Sequence, residues 1–275
     1  MHTNNRSFLL RLAFMIAAIG ITCSTNAFCH HDAPPTTSLQ TSLHTPSSHT
    51  KKNKANNVDP FSVFKTWHAG VSIPLSTVKA YGDDRCFTSS PISDEVFKRM
   101  EGKSFKKNST IQRSYLRYLK VLHYNAYGVP QLGELVCHKN VADDLLSIFR
   151  ALYQAHYPIE RMVLIDEYDA DDTRSMEANN TTCFNFRQIK GRSKLSKHSR
   201  GLAVDINPLY NPHVKRDIHG KLIVNPPKSM PYANRSKAFK YRITKSDLCY
   251  KEFVKHGFRW GGAWRSSQDY QHFEK

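Results

Sequence analysis

The chain has 275 residues, 40% hydrophobic and 23% charged, a composition that excludes a wholly disordered chain and a polytopic membrane protein. That length holds one large domain or two small ones. Lys and Arg number 40 against 23 Asp and Glu, and the formal charge of +17 favours an anionic partner: nucleic acid, an acidic membrane or a cell-wall polymer.

Arg6 and Arg11 lead into the apolar run Leu12 to Ile21, and small and polar residues follow as far as Ala27. This is the layout of a secretory signal peptide, and the run is short for a membrane span. Residues 1–27 are therefore expected to direct export to the periplasm or beyond and to be removed, leaving no stable membrane span. Left uncleaved, they would form a membrane anchor. Cleavage removes two arginines and no acidic residue, so the mature chain stays strongly basic. Export sets nucleic acid aside as the natural partner, and no nucleic-acid-binding motif is visible. Residues 28–60 are rich in Ser, Thr, Pro, His, Lys and Asn and bury too little apolar surface to offset ordering entropy. They read as a disordered polar tether, with a single domain over 61–275.

Within that domain Ser93 is placed to cap a helix running to Met100. Leu119 to Tyr124 and Glu134 to His138 read as strands around a turn containing Gly128, Pro130 and Gly133. Asn140 opens a helix whose apolar stripe is Val141, Leu145, Ile148, Phe149 and Leu152, ending near His156. Met162 to Ile165, Phe184 to Arg187 and Leu202 to Ile206 read as further strands. Ser246 is expected to cap a last helix that stops at Gly257, followed by a strand from Phe258 to Gly262. The irregular order, without βαβ repeats, predicts an α+β fold with a mostly antiparallel sheet and flanking helices. The cysteines are Cys23, Cys29, Cys86, Cys137, Cys183 and Cys249, with no CxxC pair, which removes a zinc ribbon. After cleavage an odd number remains at irregular spacing, so no disulfide framework is implied. One or two bridges and simple buried thiols both stay open.

Two clusters carry the chemistry. In the first, His198 precedes a strand that contains Asp205. Alternation places Ala203 and Asp205 on one face and Leu202, Val204 and Ile206 on the other. A carboxylate in so apolar a strand is costly unless something pairs with it, and a cation would do so. Gly201 and Ala203 are small enough to let the backbone pass close to it. Spacing alone leaves two readings, a metal-binding pair or a turn histidine and a strand-end aspartate. The second cluster adds His272, with Asp269 three residues earlier, on the same side if the segment is a helical turn. Two histidines and one aspartate would be three ligands with the fourth position open, as in catalytic zinc sites.

Ser196-x-His198-x-x-Gly201-x-Ala203-x-Asp205, followed by Asp269-x-x-His272-Phe273-Glu274, closely resembles the zinc D-alanyl-D-alanine carboxypeptidase family. That family includes D-Ala-D-Ala dipeptidases and the L-alanyl-D-glutamate endopeptidases of phage endolysins. The resemblance covers roughly Pro91 to Lys275. It implies that Zn2+ is held by His198, Asp205 and His272 and that Asp269 is the catalytic acid/base. Many members carry Glu at the Asp269 position, and Asp matches the endopeptidase branch. Glu274 is a second acidic residue, read as supporting the site or lying on the surface. Arg187 is the best match to the family's upstream arginine, as a catalytic or substrate-binding group. Its fork of donors suits a carboxylate or an oxyanion, and a surface arginine is the alternative. Ser196 reads either as a substrate-binding hydroxyl or as a turn residue, and Trp264 either as a cleft wall or as core, whereas Trp260 reads as core.

The resemblance implies an exported zinc metallopeptidase acting on peptidoglycan stem peptides. Its final motif leans towards the L-alanyl-D-glutamate bond, with terminal D-alanine removal as the alternative. An alternative of another class is a zinc-containing, non-catalytic binding module for the cell wall or a protein, since the secreted signalling domain of hedgehog proteins is similar in fold. A pure binder has no need of Asp269, Arg187 and an open ligand position together.

Overall fold

The computed structural model describes residues 59–189 and 193–275. The expected signal segment (1–27), the tether up to residue 58, Cys23 and Cys29 lie outside the described residues.

Two short helices, α1 (Ser62–Thr66) and α2 (Leu75–Tyr81), come first. They lead to a three-stranded antiparallel sheet of β1 (Thr88–Pro91), β2 (Leu116–Tyr124) and β3 (Pro130–His138). Helix α3 (Asp94–Met100) starts as its sequence predicts, with the Ser93 side chain accepting from the Val96 N–H. The β2–β3 turn is Asn125 to Val129, closed by the Asn125 N–H on the Val129 carbonyl at 3.0 Å. Pro130 and Gly133, expected in the turn, lie inside β3, which starts four residues earlier than expected because Pro130 to Gly133 pair with Tyr124 to Val121 of β2. Helix α4 (Ala142–Gln154) lays Leu145, Ile148, Phe149 and Leu152 on the core, preceded by a single 3₁₀ turn from Lys139.

Helix α5 (Asp172–Glu177) is followed by β4 (Ala203–Asp205), β5 (His213–Arg216) and β6 (Leu222–Asn225). Then come α6 (Leu248–Lys255), β7 (Arg259–Trp260), β8 (Ser267–Asp269) and β9 (His272–Glu274). The fold is α+β, and its strands are dealt into three small antiparallel sheets, β1-β2-β3, β4-β9-β7 and β6-β5-β8. The Asp247 side chain caps α6 on the Cys249 N–H at 2.8 Å, one residue later than the expected Ser246. The last expected strand shrinks to Arg259–Trp260, because the two glycines after it turn into a 3₁₀ helix.

Two expected strands are absent among the described residues. Around Met162 to Ile165, the Val163 N–H donates to the Asn180 side chain at 2.9 Å and the Leu164 N–H to the Glu134 carboxylate at 3.3 Å. Side chains take these N–H groups, and a single backbone bond, from the Glu134 N–H of β3 to the Met162 carbonyl at 3.0 Å, is too little to make a ladder. From Phe184 to Phe186 successive N–H groups reach Val136, His198 and Ser104 at 3.0, 3.2 and 3.0 Å, three partners that form no ladder. Cys86, Cys137, Cys183 and Cys249 are buried free thiols.

A buried ion pair ties α3 to the first sheet. Glu134 is 2% exposed, and its carboxylate accepts from Arg99 at 2.5 and 2.8 Å and from the Tyr118 hydroxyl at 2.6 Å. Burial and the Glu134 charge push the Tyr118 hydroxyl pKa up, so it stays a donor. Removing one partner of a buried pair leaves an uncompensated charge. Arg99→Ala is expected to lower stability by about 3 kcal/mol, read from the urea midpoint. An unshifted midpoint would show that water solvates Glu134.

Candidate active site

His198 sits in a 3₁₀ turn, Lys197–Arg200, whose N-cap is Ser196; the Ser196 hydroxyl accepts from the His198 N–H at 3.3 Å. The turn ends at Gly201, with φ +65, a conformation L side chains rarely adopt. A Cβ there would stand 2.6 Å from the His138 nitrogen, and the His138 N–H donates to the Gly201 carbonyl at 2.9 Å. Gly201 thus admits the edge of β3, not the group held by His198 and Asp205 as its spacing led us to expect.

Strand β4 then runs antiparallel to β9 with Asp205 opposite His272 and Val204 opposite Phe273. Val204 and Phe273 are fully buried on the core face, and the Phe273 ring stacks on Phe253 of α6 with centroids 4.3 Å apart. The other face carries Asp205 and His272. His272 Nδ1 lies 3.0 Å from Asp205 Oδ1 and 3.2 Å from His198 Nε2, and His198 Nε2 lies 3.3 Å from Asp205 Oδ2. All three residues are buried. His198 Nδ1 meets the Cys183 carbonyl at 2.6 Å. A carbonyl only accepts, so Nδ1 carries a proton there and Nε2 is the nitrogen left to face the cluster. His272 turns Nε2 towards Glu274 Oε2 at 3.4 Å, and Glu274 accepts from Arg259 at 2.9 Å. A carboxylate behind the outer nitrogen leaves Nδ1 to face the cluster.

Asp269 and His272 are not on a helical turn. Asp269 ends β8 and His272 begins β9, and the chain bends between them as it passes from one sheet to another. Gly261 allows the approach. A Cβ there would meet the Asp269 carbonyl oxygen at 2.7 Å and the His272 Cβ at 3.3 Å. Asp269 Oδ1 is buried without a hydrogen-bond partner among the described residues. Trp260 is buried, as expected, with Nε1 donating to the Tyr270 carbonyl at 2.9 Å. Trp264 is 40% exposed, with its ring centroid 5.4 Å from that of His272, so it lies beside the cluster and not in the core.

Arg187 is anchored on the His198 side, its backbone N–H donating to Ser199 Oγ at 2.9 Å. Its guanidinium pairs with Asp172, which also accepts from the Asn185 side chain at 3.1 Å. Neither Asp172 nor the Cys183 carbonyl stands out in the sequence, since an irregular segment brings both in. The Glu274 contact had a signal, because residues two apart on a strand share a face.

Burial works against a charged Asp205, but the charge and hydrogen bonds of His198 and His272 outweigh it and hold the carboxyl well below its usual range. Burial likewise opposes charge on His272, yet the bonds to Asp205 and Glu274 push its pKa up to about 10. Asp269 goes the other way, raised first by burial and then by the Asp205 charge. The centre of the cluster thus demands positive charge. Its donors suit a divalent metal: two imidazole nitrogens 3.2 Å apart and a carboxylate with one oxygen 3.0 Å from His272 Nδ1 and the other 3.3 Å from His198 Nε2. Bonds of roughly 2.0–2.1 Å at tetrahedral angles give edges of about 3.3 Å, so the set fits zinc. The orphaned Asp269 oxygen stands beside it. A cleft of about 1190 Å³, lined among others by Trp67, Arg99, Tyr118 and Glu134, lies elsewhere, and its Arg99 is already paired with the Glu134 and Glu167 carboxylates.

Residues 190–275 match the family model described as D-alanyl-D-alanine carboxypeptidase. The match supports the zinc peptidase family for the part of the chain that carries the cluster, and with it a peptide-bond hydrolase. No curated protein and no solved structure matches the chain.

Because Gly261 has backbone and Cβ atoms where a methyl group would go, Gly261→Ala is expected to cost about 1–3 kcal/mol by overpacking. It should also weaken zinc binding by displacing Asp269 and His272. Thermal unfolding and a chelator competition read the two effects, and unchanged values in both would show that the loop gives way freely.

Proposed function

We propose that the protein is an exported zinc metallopeptidase that hydrolyses peptidoglycan stem peptides. The observation that carries this reading is the convergence of His198 Nε2, Asp205 and His272 Nδ1 within 3.3 Å, beside a carboxylate raised in pKa. His198, Asp205 and His272 would hold the metal. Bound zinc supplies a Lewis acid that polarises a carbonyl and acidifies water.

The chain's own residues do the rest. Asp269, kept basic enough to accept a proton, takes one from the attacking water and returns it to the leaving amine, a role typically worth ~10²–10⁴ in rate. Glu274 holds the His272 ring in the tautomer that presents Nδ1, and Arg259 holds Glu274. Arg187 offers its guanidinium to a substrate carboxylate or to the developing oxyanion. Ser196 fixes His198 through its backbone N–H and has a hydroxyl hydrogen to offer substrate. Trp264 forms one wall. No helix among the described residues is long and apolar enough to cross a membrane. Export rests on the layout of residues 1–27.

The Asp-x-x-His-Phe-Glu ending favours cleavage at L-alanyl-D-glutamate. The description of the matching family favours removal of the terminal D-alanine, and this is the second reading. Mass spectrometry of products from purified muropeptides separates them: an intact peptide beginning at D-Glu marks the first, loss of a single alanine the second. Zinc-loaded protein that leaves every stem peptide whole yet binds the wall tightly would instead be a binding module.

Asp269→Asn is expected to keep zinc and lose about 10²-fold or more in turnover, whereas His272→Ala loses the metal itself. Full zinc stoichiometry in His272→Ala would remove it from the ligand set. Glu274→Gln, which keeps the shape but not the charge behind His272, is expected to weaken zinc binding by about tenfold.

A further inference from the structure

The sheet that carries Asp269 has one open face. In β5, His213 stands opposite Asp269 and Lys215 opposite Ser267, while Ile223 of β6 flanks Lys215 on the other side. Alternation puts Val214 and Val224 on one face and His213, Lys215, Ile223 and Asp269 on the other. Val214 and Val224 are 7% and 6% exposed, so theirs is the inward face. The Asp269 face therefore continues outward from the metal cluster as a shelf.

The basic side chains of β5 differ in what they already hold. His213 Nε2 is bonded to Ser267 Oγ at 2.5 Å, and Arg216 donates to the Gly220 carbonyl at 2.7 Å. Lys215 is exposed and has no ion pair or side-chain hydrogen bond among the described residues. Diagonal neighbours on adjacent strands lie roughly 7–8 Å apart, within the length of an extended lysine side chain.

We propose that this shelf is the leaving-group side of the cleft and that Lys215 binds the free α-carboxylate of the residue that follows the scissile bond. The assignment rests on the reading of Asp269 as the group that protonates the leaving nitrogen, which places that nitrogen at Asp269. In a stem peptide, D-Glu continues through its side-chain carboxyl, so its α-carboxylate is free; the carboxylate of a terminal D-Ala is free as well. In both cases the anion is joined to the carbon that bears the leaving nitrogen. It falls on the side of Asp269 where Lys215 stands, and Ile223 offers an apolar surface to the adjoining methyl or methylene groups. A lysine ammonium is a point charge on a flexible stem and tolerates either carboxylate orientation. One residue thus serves either bond specificity, recognising a carboxylate that an amidated peptide lacks.

The test uses two peptides that differ only at that carboxylate, one the free acid and one the carboxamide. Binding to the zinc-loaded Asp269→Asn protein is measured by calorimetry, and cleavage by the otherwise unaltered protein as kcat/KM. The free acid is expected to be favoured by about five- to tenfold, a modest ratio because the ammonium is solvent-exposed, and the preference should shrink as salt is raised. Adding Lys215→Ala should bring the ratio close to one, and Lys215→Arg should restore most of it. A ratio unchanged by Lys215→Ala, equal losses for both peptides, or no preference in the parent protein would each overturn the assignment. A Lys215-dependent preference in binding without any cleavage would sustain the shelf and remove the hydrolytic reading, so the two failures are distinct.

Discussion

The pairing of Asp205 with His272 across β4 and β9 is the constraint on which the site depends. Each strand has only three residues, too few for ladder hydrogen bonds alone to hold. The stiffness comes from the other face, where Val204 and Phe273 are sealed in the core and Phe273 stacks on Phe253 of α6. Successive side chains on a strand point to opposite faces, so burying Phe273 and Val204 obliges His272 and Asp205 to face each other in the cluster. A slip of one residue would send His272 into the core and Phe273 into the site. His198 joins them from a turn that Gly201 allows to rest against the β3 backbone.

Electrostatics separates two aspartates that the sequence leaves chemically alike. Asp205 has two imidazoles against it and is held ionised, whereas Asp269 feels burial and the negative charge of Asp205 and is raised. Two carboxylates whose environments push their pKa values apart mark a division of labour. One suits permanent pairing with a cation, and the other suits carrying a proton. Glu274 follows the first pattern from behind His272, lowered by that ring's hydrogen bond.

The sequence made much of this legible wherever the signal was local. The α3 cap, the stripe of α4, the alternation around Asp205 and the order of the two clusters can all be read from residue type and spacing. What escaped depends on partners far away in the chain. Met162 to Ile165 is as apolar as a strand, yet its N–H groups are taken by Asn180 and Glu134, which no local pattern can foresee. Asp269 and His272 have a spacing that fits a helical turn, and only the pairings of β8 with β5 and of β9 with β4 show that they belong to strands of two different sheets. His272 and Glu274, two apart, carried the strand period all along.

The position of the cations matters more than their number. A surplus of 17 positive charges draws anionic polymers to the surface and speeds encounter, but it cannot choose a bond. Choice needs a cation at a fixed distance from the reacting atoms. Arg187 is anchored through Ser199 on the His198 side, its charge partly offset by Asp172. Lys215 stands on the Asp269 side. On the proposed reading, a peptide crossing the cluster meets one cation on each side of its scissile carbonyl. Arg187 is held by Asp172 and recognises a group only in the orientation that pair permits, whereas Lys215 is free to follow its carboxylate. A rigid fork on one side and a mobile point charge on the other fix direction while tolerating variation in the leaving residue, and a substrate bound backwards would present its free carboxylate to the wrong cation.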